Sequence, residues 1–133
     1  MAKTPLDKQI EKARKEAQKN AYKEELRQRA ASIVSSQPII NGVRIIDDTA
    51  EIVLNCLLEN CKDSSTGHVS YDNDIFPQAV SRSIGLEIEK LIQYGMVTSY
   101  IPWANGGMLN LLPCSFSYFE RKATAQAMSL AST

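Results

Sequence analysis

Between Asp48 and Tyr118 the chain is cut into short pieces by cap and turn residues, and the order of those pieces constrains the fold more than any other feature. Asp48 with Glu51 three residues on has the spacing of a capping box, opening a helix to Cys61 with Ile52, Val53, Cys56 and Leu57 as its apolar positions. The polar run from Lys62 to Gly67 predicts a loop, and His68 to Tyr71 a short strand. Asp72-Asn73-Asp74 caps a helix reaching about Ser81, and Ser83 caps the next, where Leu86, Ile88, Leu91 and Ile92 supply the buried face. Gly95 after Tyr94 fits the left-handed position that ends a helix. Two apolar strands, Met96 to Trp103 and Met108 to Leu112, then flank the turn Ala104-Asn105-Gly106-Gly107. In the first, Val97, Ser99, Ile101 and Trp103 alternate with Thr98, Tyr100 and Pro102. Ser115 caps a closing helix with Phe116, Phe119, Ala123 and Ala127 along one side. The expected class is mainly α with a small β hairpin (α+β).

Upstream, Thr4-Pro5-Leu6-Asp7 combines an N-cap, a proline at the first helical position and an acid at the positive helix end. No further Gly or Pro interrupts the chain before Val34, so one long helix is expected. Leu6, Ile10, Ala13, Ala17 and Ala21 form one apolar stripe at about 100° per residue; Tyr22, Leu26, Ala30 and Ile33 form another, rotated by roughly half a turn near Asn20. The second stripe has the bulk to dock on the globular part, whereas the alanine-rich first depends on a partner. Ser35-Ser36-Gln37-Pro38 ends the helix, and Asn41-Gly42 between β-branched runs signals a tight hairpin or an extended segment paired with the later strands.

The chain of 133 residues has as many Lys and Arg as Asp and Glu, but they are unevenly placed. Residues 1–42 hold nine basic against five acidic residues, +4, and residues 43–133 hold six against ten, −4. That asymmetry divides the chain into a basic N-terminal helix over 1–36 (an arm or oligomerisation segment), a globular domain over 37–124, and a helix end with a polar tail over 125–133. No run approaches the roughly 20 apolar residues of a membrane span, the first residues lack the apolar stretch of a signal peptide, and three cysteines make no disulfide framework. A reducing cytoplasm is the expected setting, with no membrane partner.

The segments LIQYGMVTSYIPW, ANGG and MLNLLPCSFSYFER resemble a winged helix-turn-helix domain of the small form found in bacterial and phage proteins, over residues 48 to about 122. The resemblance implies a recognition helix over Ser83 to Tyr94 and a wing over Ser99 to Asn110, with Arg82, Lys90 and Gln93 as nucleic-acid contacts. Separately, the basic charge of the N-terminal helix offers Arg14, Lys23 and Arg27 as phosphate contacts. Two features of this chain oppose duplex DNA on the usual face. The helix carries Glu87 and Glu89, and the wing has neither Lys nor Arg. The leading expectation is therefore a non-enzymatic interaction or regulatory module that binds a protein or itself, possible relatives in role being mobile-element accessory and inhibitor proteins; the alternative is a DNA-binding transcriptional regulator.

Candidate partner-binding residues are Tyr100, Trp103 and Met108 on the hairpin and Lys12, Lys15 and Lys19 on the basic helix. Trp103 has two readings, packed on the closing helix against Phe116 or Phe119, which is preferred, or exposed as an aromatic anchor of the kind found at interface hot spots. Enzyme chemistry has no support. His68 is the single histidine, and Cys56, Cys61 and Cys114 lack the spacing of a zinc site, so they read as core. Asp72-Asn73-Asp74 lacks a calcium loop's glycine and terminal glutamate, and Gly106-Gly107 lacks a phosphate cradle's helix. No cofactor, metal or small-molecule substrate is expected.

Overall fold

A computed structural model describes residues 4–131, so Lys3 of the basic helix and Ser132-Thr133 of the polar tail lie outside it. Among the described residues helices, 3₁₀ turns included, make up 61% and strands 18%, a mainly α chain with small antiparallel sheets. The order is α1 (Pro5–Ser35), β1 (Ile39–Ile40), β2 (Val43–Arg44), α2 (Asp48–Glu59), β3 (His68–Asp72), α3 (Ile84–Gln93), β4 (Val97–Trp103), β5 (Gly106–Leu111) and α4 (Tyr118–Ala131). Short 3₁₀ turns occupy Asn73–Ile75, Gln78–Val80 and Pro113–Ser117.

Helix α1 is one uninterrupted rod. Thr4 and Asp7 form a capping box around Pro5, and at the far end Ser36 Oγ donates to the Ile33 carbonyl at 2.7 Å before Pro38 forbids continuation. Its C-terminal half packs along α3, burying Ala30 and Val34 and half-burying Leu26 and Ile33. Tyr22, expected in the docked stripe, stays 62% exposed because it lies a turn beyond that contact. Residues 4–21 are exposed around the helix, Glu11 half-buried excepted. Leu6 and Ile10 remain 64% and 52% exposed.

The Asn41-Gly42 signal forms the tight hairpin β1–β2, with Asn41 and Gly42 at positive φ and Asn41 Nδ2 donating to the Ala125 carbonyl of α4 at 2.8 Å. The second sheet has the order β3-β5-β4, all antiparallel. Its inner face, with α2, α3 and Tyr118, closes a core centred on Val53, Leu54, Leu57, Val69, Ile88, Leu91, Val97 and Leu109.

Several local expectations are corrected. The N-cap of α2 is Asp47, whose carboxylate accepts the Ala50 N–H, and the helix ends at Glu59 instead of Cys61. Glu51 completes no capping box; it accepts the Tyr118 hydroxyl at 2.6 Å and Lys122 Nζ at 2.7 Å. The helix expected from Asp72 to Ser81 is only two 3₁₀ turns, since Phe76 before Pro77 is forced into an extended conformation and Asp72 makes no capping bond. Ser83 makes no cap bond either, its hydroxyl donating to the Val80 carbonyl.

The β4–β5 turn is Ala104-Asn105 alone, and Gly106 and Gly107 belong to β5. They are glycines because β5 is the central strand and passes close to Tyr71 of β3. A Cβ on Gly106 would lie 2.1 Å from the Tyr71 carbonyl oxygen, and one on Gly107 2.7 Å from the Tyr71 hydroxyl. Strict alternation in β4 is lost at a bulge between Thr98 and Ile101, where Ser99 takes φ 57°. Beyond it Tyr100 is half-buried while Ile101 and Trp103 face solvent.

Ser115 is buried and donates to the Met96 carbonyl, so it caps no exposed helix start, and α4 begins at Tyr118. Tyr118, fully buried, is the aromatic that anchors the closing helix, whereas Phe116 and Phe119 are 42% and 36% exposed.

Candidate protein-interaction surface

Helix α3 has almost no free polar surface. Of its ten residues only Gln93 is exposed, and Gln93 Nε2 donates to the Arg27 carbonyl of α1 at 2.8 Å. Lys90 is 3% exposed, its ammonium 2.6 Å from Asp47 Oδ2, 3.2 Å from Thr49 Oγ1 and 2.7 Å from Glu87 Oε2. The Glu87 contact pairs charges but lies off the angle a hydrogen bond needs, which leaves Glu87 Oε2 without a donor. Asp47 Oδ1 accepts the Tyr94 hydroxyl at 2.6 Å. Burial pushes the Asp47 carboxyl up, but the hydrogen bonds from Lys90, Tyr94 and Thr49 outweigh it and hold it below its usual value. Burial, followed by donation to Asp47, pushes the Tyr94 phenol up. The cluster locks α3 to the start of α2.

This corrects the nucleic-acid set. Lys90 is an internal counter-ion with no reach to solvent, and Gln93 is engaged by α1. Arg82 is exposed ahead of α3, and Arg27 pairs with Glu24 of its own helix at 3.7 Å. Arg14 and Lys23 are exposed on α1. Lys23 and Arg27 share the lining of one groove and Gln93 touches Arg27, but buried Lys90 is not available with them.

The partner set is brought together in part. A groove of about 330 Å³ runs between α1, α3 and β4, with Tyr22, Leu26, Gly85, Tyr100 and Pro102 as its apolar lining and Lys19, Lys23, Arg27 and Glu89 as its charged one. Tyr100 and Lys19 thus share a site. Lys12 and Lys15 continue from it along α1, where they and Lys19 border a shallow depression of about 300 Å³. Burial pushes the Glu89 carboxyl up, against the opposing pull of Arg27 and Lys23. Burial likewise raises the Tyr100 phenol.

Trp103 and Met108 lie outside the groove. Trp103, paired across the hairpin with Gly106, is 47% exposed, so the preferred packing on Phe116 or Phe119 gives way to the exposed reading. The bulge at Ser99 decides this, because it resets which β4 side chains face the body. Met108 is half-buried opposite Ile101 and Ser70.

Tyr22, Leu26, Glu89 and Pro102 are site residues that sequence reasoning missed. In sequence Tyr22 and Leu26 read as part of a docked stripe, and Pro102 sits on a face that only the bulge defines. For the basic residues a signal was available in the spacing 8, 12, 15, 19, 23, which puts five lysines on one side of a helix.

His68 is exposed within β3, and the cysteines are half-buried and free, Cys114 Sγ lying 3.1 Å from the Gly95 carbonyl. Among the described residues no group of three or more His, Cys, Asp or Glu is placed to hold a metal ion, and no helix is long and apolar enough to cross a membrane.

No protein-family model matches the chain, and neither a curated protein nor a solved structure matches it significantly.

Proposed function

We propose that this protein is a non-enzymatic interaction module, a scaffold of winged-helix type that presents α1 to a protein partner. The observation that carries the reading is the way α1 is held. It is docked on α3 from Leu26 onward and, half-buried Glu11 excepted, exposed from Pro5 to Ala21, a length of about 25 Å at 1.5 Å per residue. The same docking occupies the helix that a DNA-reading protein of this type keeps free. The order β3, α3, β4, β5, α4 supports the winged-helix scaffold, with 3₁₀ turns in place of a full helix before α3.

The test is affinity capture from cells that express the protein, using the full chain and two arm variants, Leu6→Asp with Ile10→Asp and Lys12→Glu with Lys15→Glu. The reading expects a stoichiometric protein partner that at least one arm variant loses. Binding to random duplex DNA is measured in parallel at about 50 and 200 mM salt, where phosphate contacts weaken steeply. Salt-steep duplex binding without a protein partner would overturn the proposal in favour of a DNA-binding regulator.

A further inference from the structure

At about 100° per residue, Lys8, Lys12, Lys15, Lys19 and Lys23 fall on the same side of α1 as Leu26 and Ala30, while Leu6, Ile10, Ala13 and Ala17 fall on the opposite side. The docked seam therefore continues, beyond the edge of the body, as a row of lysines about 22 Å long. Lys19 borders both the shallow depression along α1 and the groove at Tyr100, so the row runs directly into that groove.

Like charges along the row weaken the free helix, offset in part by the opposite-charge i,i+4 pairs Glu11–Lys15 and Lys12–Glu16. Lys8 and Lys12, Lys15 and Lys19, and Lys19 and Lys23 are like-charge pairs at i,i+4, a destabilising spacing. Lys15 Nζ lies 3.9 Å from Glu11. At the end of the row the lining turns apolar, through Tyr22, Leu26, Tyr100 and Pro102.

We infer that the lysine row and the Tyr22–Tyr100 groove together dock an acidic amphipathic helix of a partner protein, its carboxylates spaced i, i+4, i+7, i+11 along the row and an apolar residue seated in the groove. This names the partner class for the proposed interaction module and rests on that reading. Charge complementarity selects the occupant. A second copy using this face would set lysine against lysine. A phosphate backbone has nothing apolar to seat against Tyr22, Leu26, Tyr100 and Pro102 at the end of the row, whereas an amphipathic helix has.

The test is fluorescence anisotropy with the full chain and a labelled synthetic helix of about 18 residues, five turns. The helix carries Glu at i, i+4, i+7 and i+11 and a Leu-Trp pair at one end. A second peptide has Gln for each Glu, and a mixed-sequence DNA duplex serves as the polyanion control. Binding of the Glu peptide is expected to be about tenfold or more tighter than that of the Gln peptide, and to weaken by a similar factor in Lys12→Glu with Lys15→Glu. Tyr100→Ala weakens it with the charge dependence intact. Equal binding of the two peptides, indifference to the lysine substitutions, or tighter binding of the duplex through the same lysines would overturn the inference. A captured partner lost only by Leu6→Asp with Ile10→Asp would sink this inference while leaving the interaction module standing.

Discussion

Lys90 in α3 donates to Asp47 at the start of α2 over 2.6 Å from a side chain only 3% exposed. A lysine that would otherwise define a polar helix face is an internal strut, and the Asp47 carboxylate also caps α2 and accepts from Tyr94. Removing the ammonium leaves buried Glu87 and half-buried Asp47 without a cation. Lys90→Ala is expected to lower stability by about 3–5 kcal/mol. Urea unfolding checks this; a loss of under about 1 kcal/mol would mean that the cluster is well hydrated.

The same cluster sets an acid limit on stability. The folded-state pKa of Asp47 lies below its unfolded value, so the folded state binds its proton less readily. The stabilisation is complete above the unfolded carboxylate value of about 3.9 and is lost as pH falls through the folded value. Unfolding curves for the wild type and Asp47→Asn should converge as pH drops below about 4 and separate above it. A constant difference across that range would contradict the assignment.

Gly106→Ala should be the most damaging small change in the sheet, since its methyl would stand 2.1 Å from a backbone oxygen that cannot move aside. A loss of about 3 kcal/mol or more is expected. Gly42→Ala meets nothing within 4 Å and suffers only from φ 81°, a cost of about 1 kcal/mol. Thermal melts of the two variants give the ranking directly.

Gly85→Ala should stabilise. The added methyl would sit 3.7 Å from Leu26 Cδ1, ordinary contact across the α1–α3 seam, in the first turn of α3, where alanine is favoured over glycine by up to about 1 kcal/mol. A lower midpoint in denaturant would show that the seam needs the closer approach.

Hydrogen exchange should divide α1. Amides from about Leu26 to Val34, held against α3, are expected to exchange slowly, and those before Ala17 quickly, because an unpacked helix of this length is marginal in water. Leu26→Asp then destabilises the fold where Leu6→Asp does not. Equal protection along the whole helix in a dilute monomer would overturn the exposed-arm description.

Local signals carried the parts of the fold whose energetics are local. Thr4, Pro5 and Asp7 start α1 because a cap needs only its own first turn; Asn41-Gly42 makes the hairpin because both residues tolerate positive φ; Gly95 ends α3 at φ 79° for the same reason. The two stripes of α1 were visible in their spacing, and so was the lysine row.

Tertiary structure decided whatever depended on a neighbour distant in the chain. Lys90 is polar by type, and its burial follows from Asp47, 43 residues away, supplying the counter-charge. Gly106 and Gly107 read as turn residues until Tyr71 crosses them, and Ser115 reads as a cap until the Met96 carbonyl takes its hydroxyl. The bulge at Ser99 moves Tyr100 inward and leaves Trp103 in solvent, an outcome strand alternation alone reverses. What the sequence by itself determined was the type and order of most elements, because capping and backbone propensity act within a turn or two. Which polar residues remained free for a partner was decided only when α1, α2 and α3 packed, because desolvation and charge pairing are properties of the assembled surface.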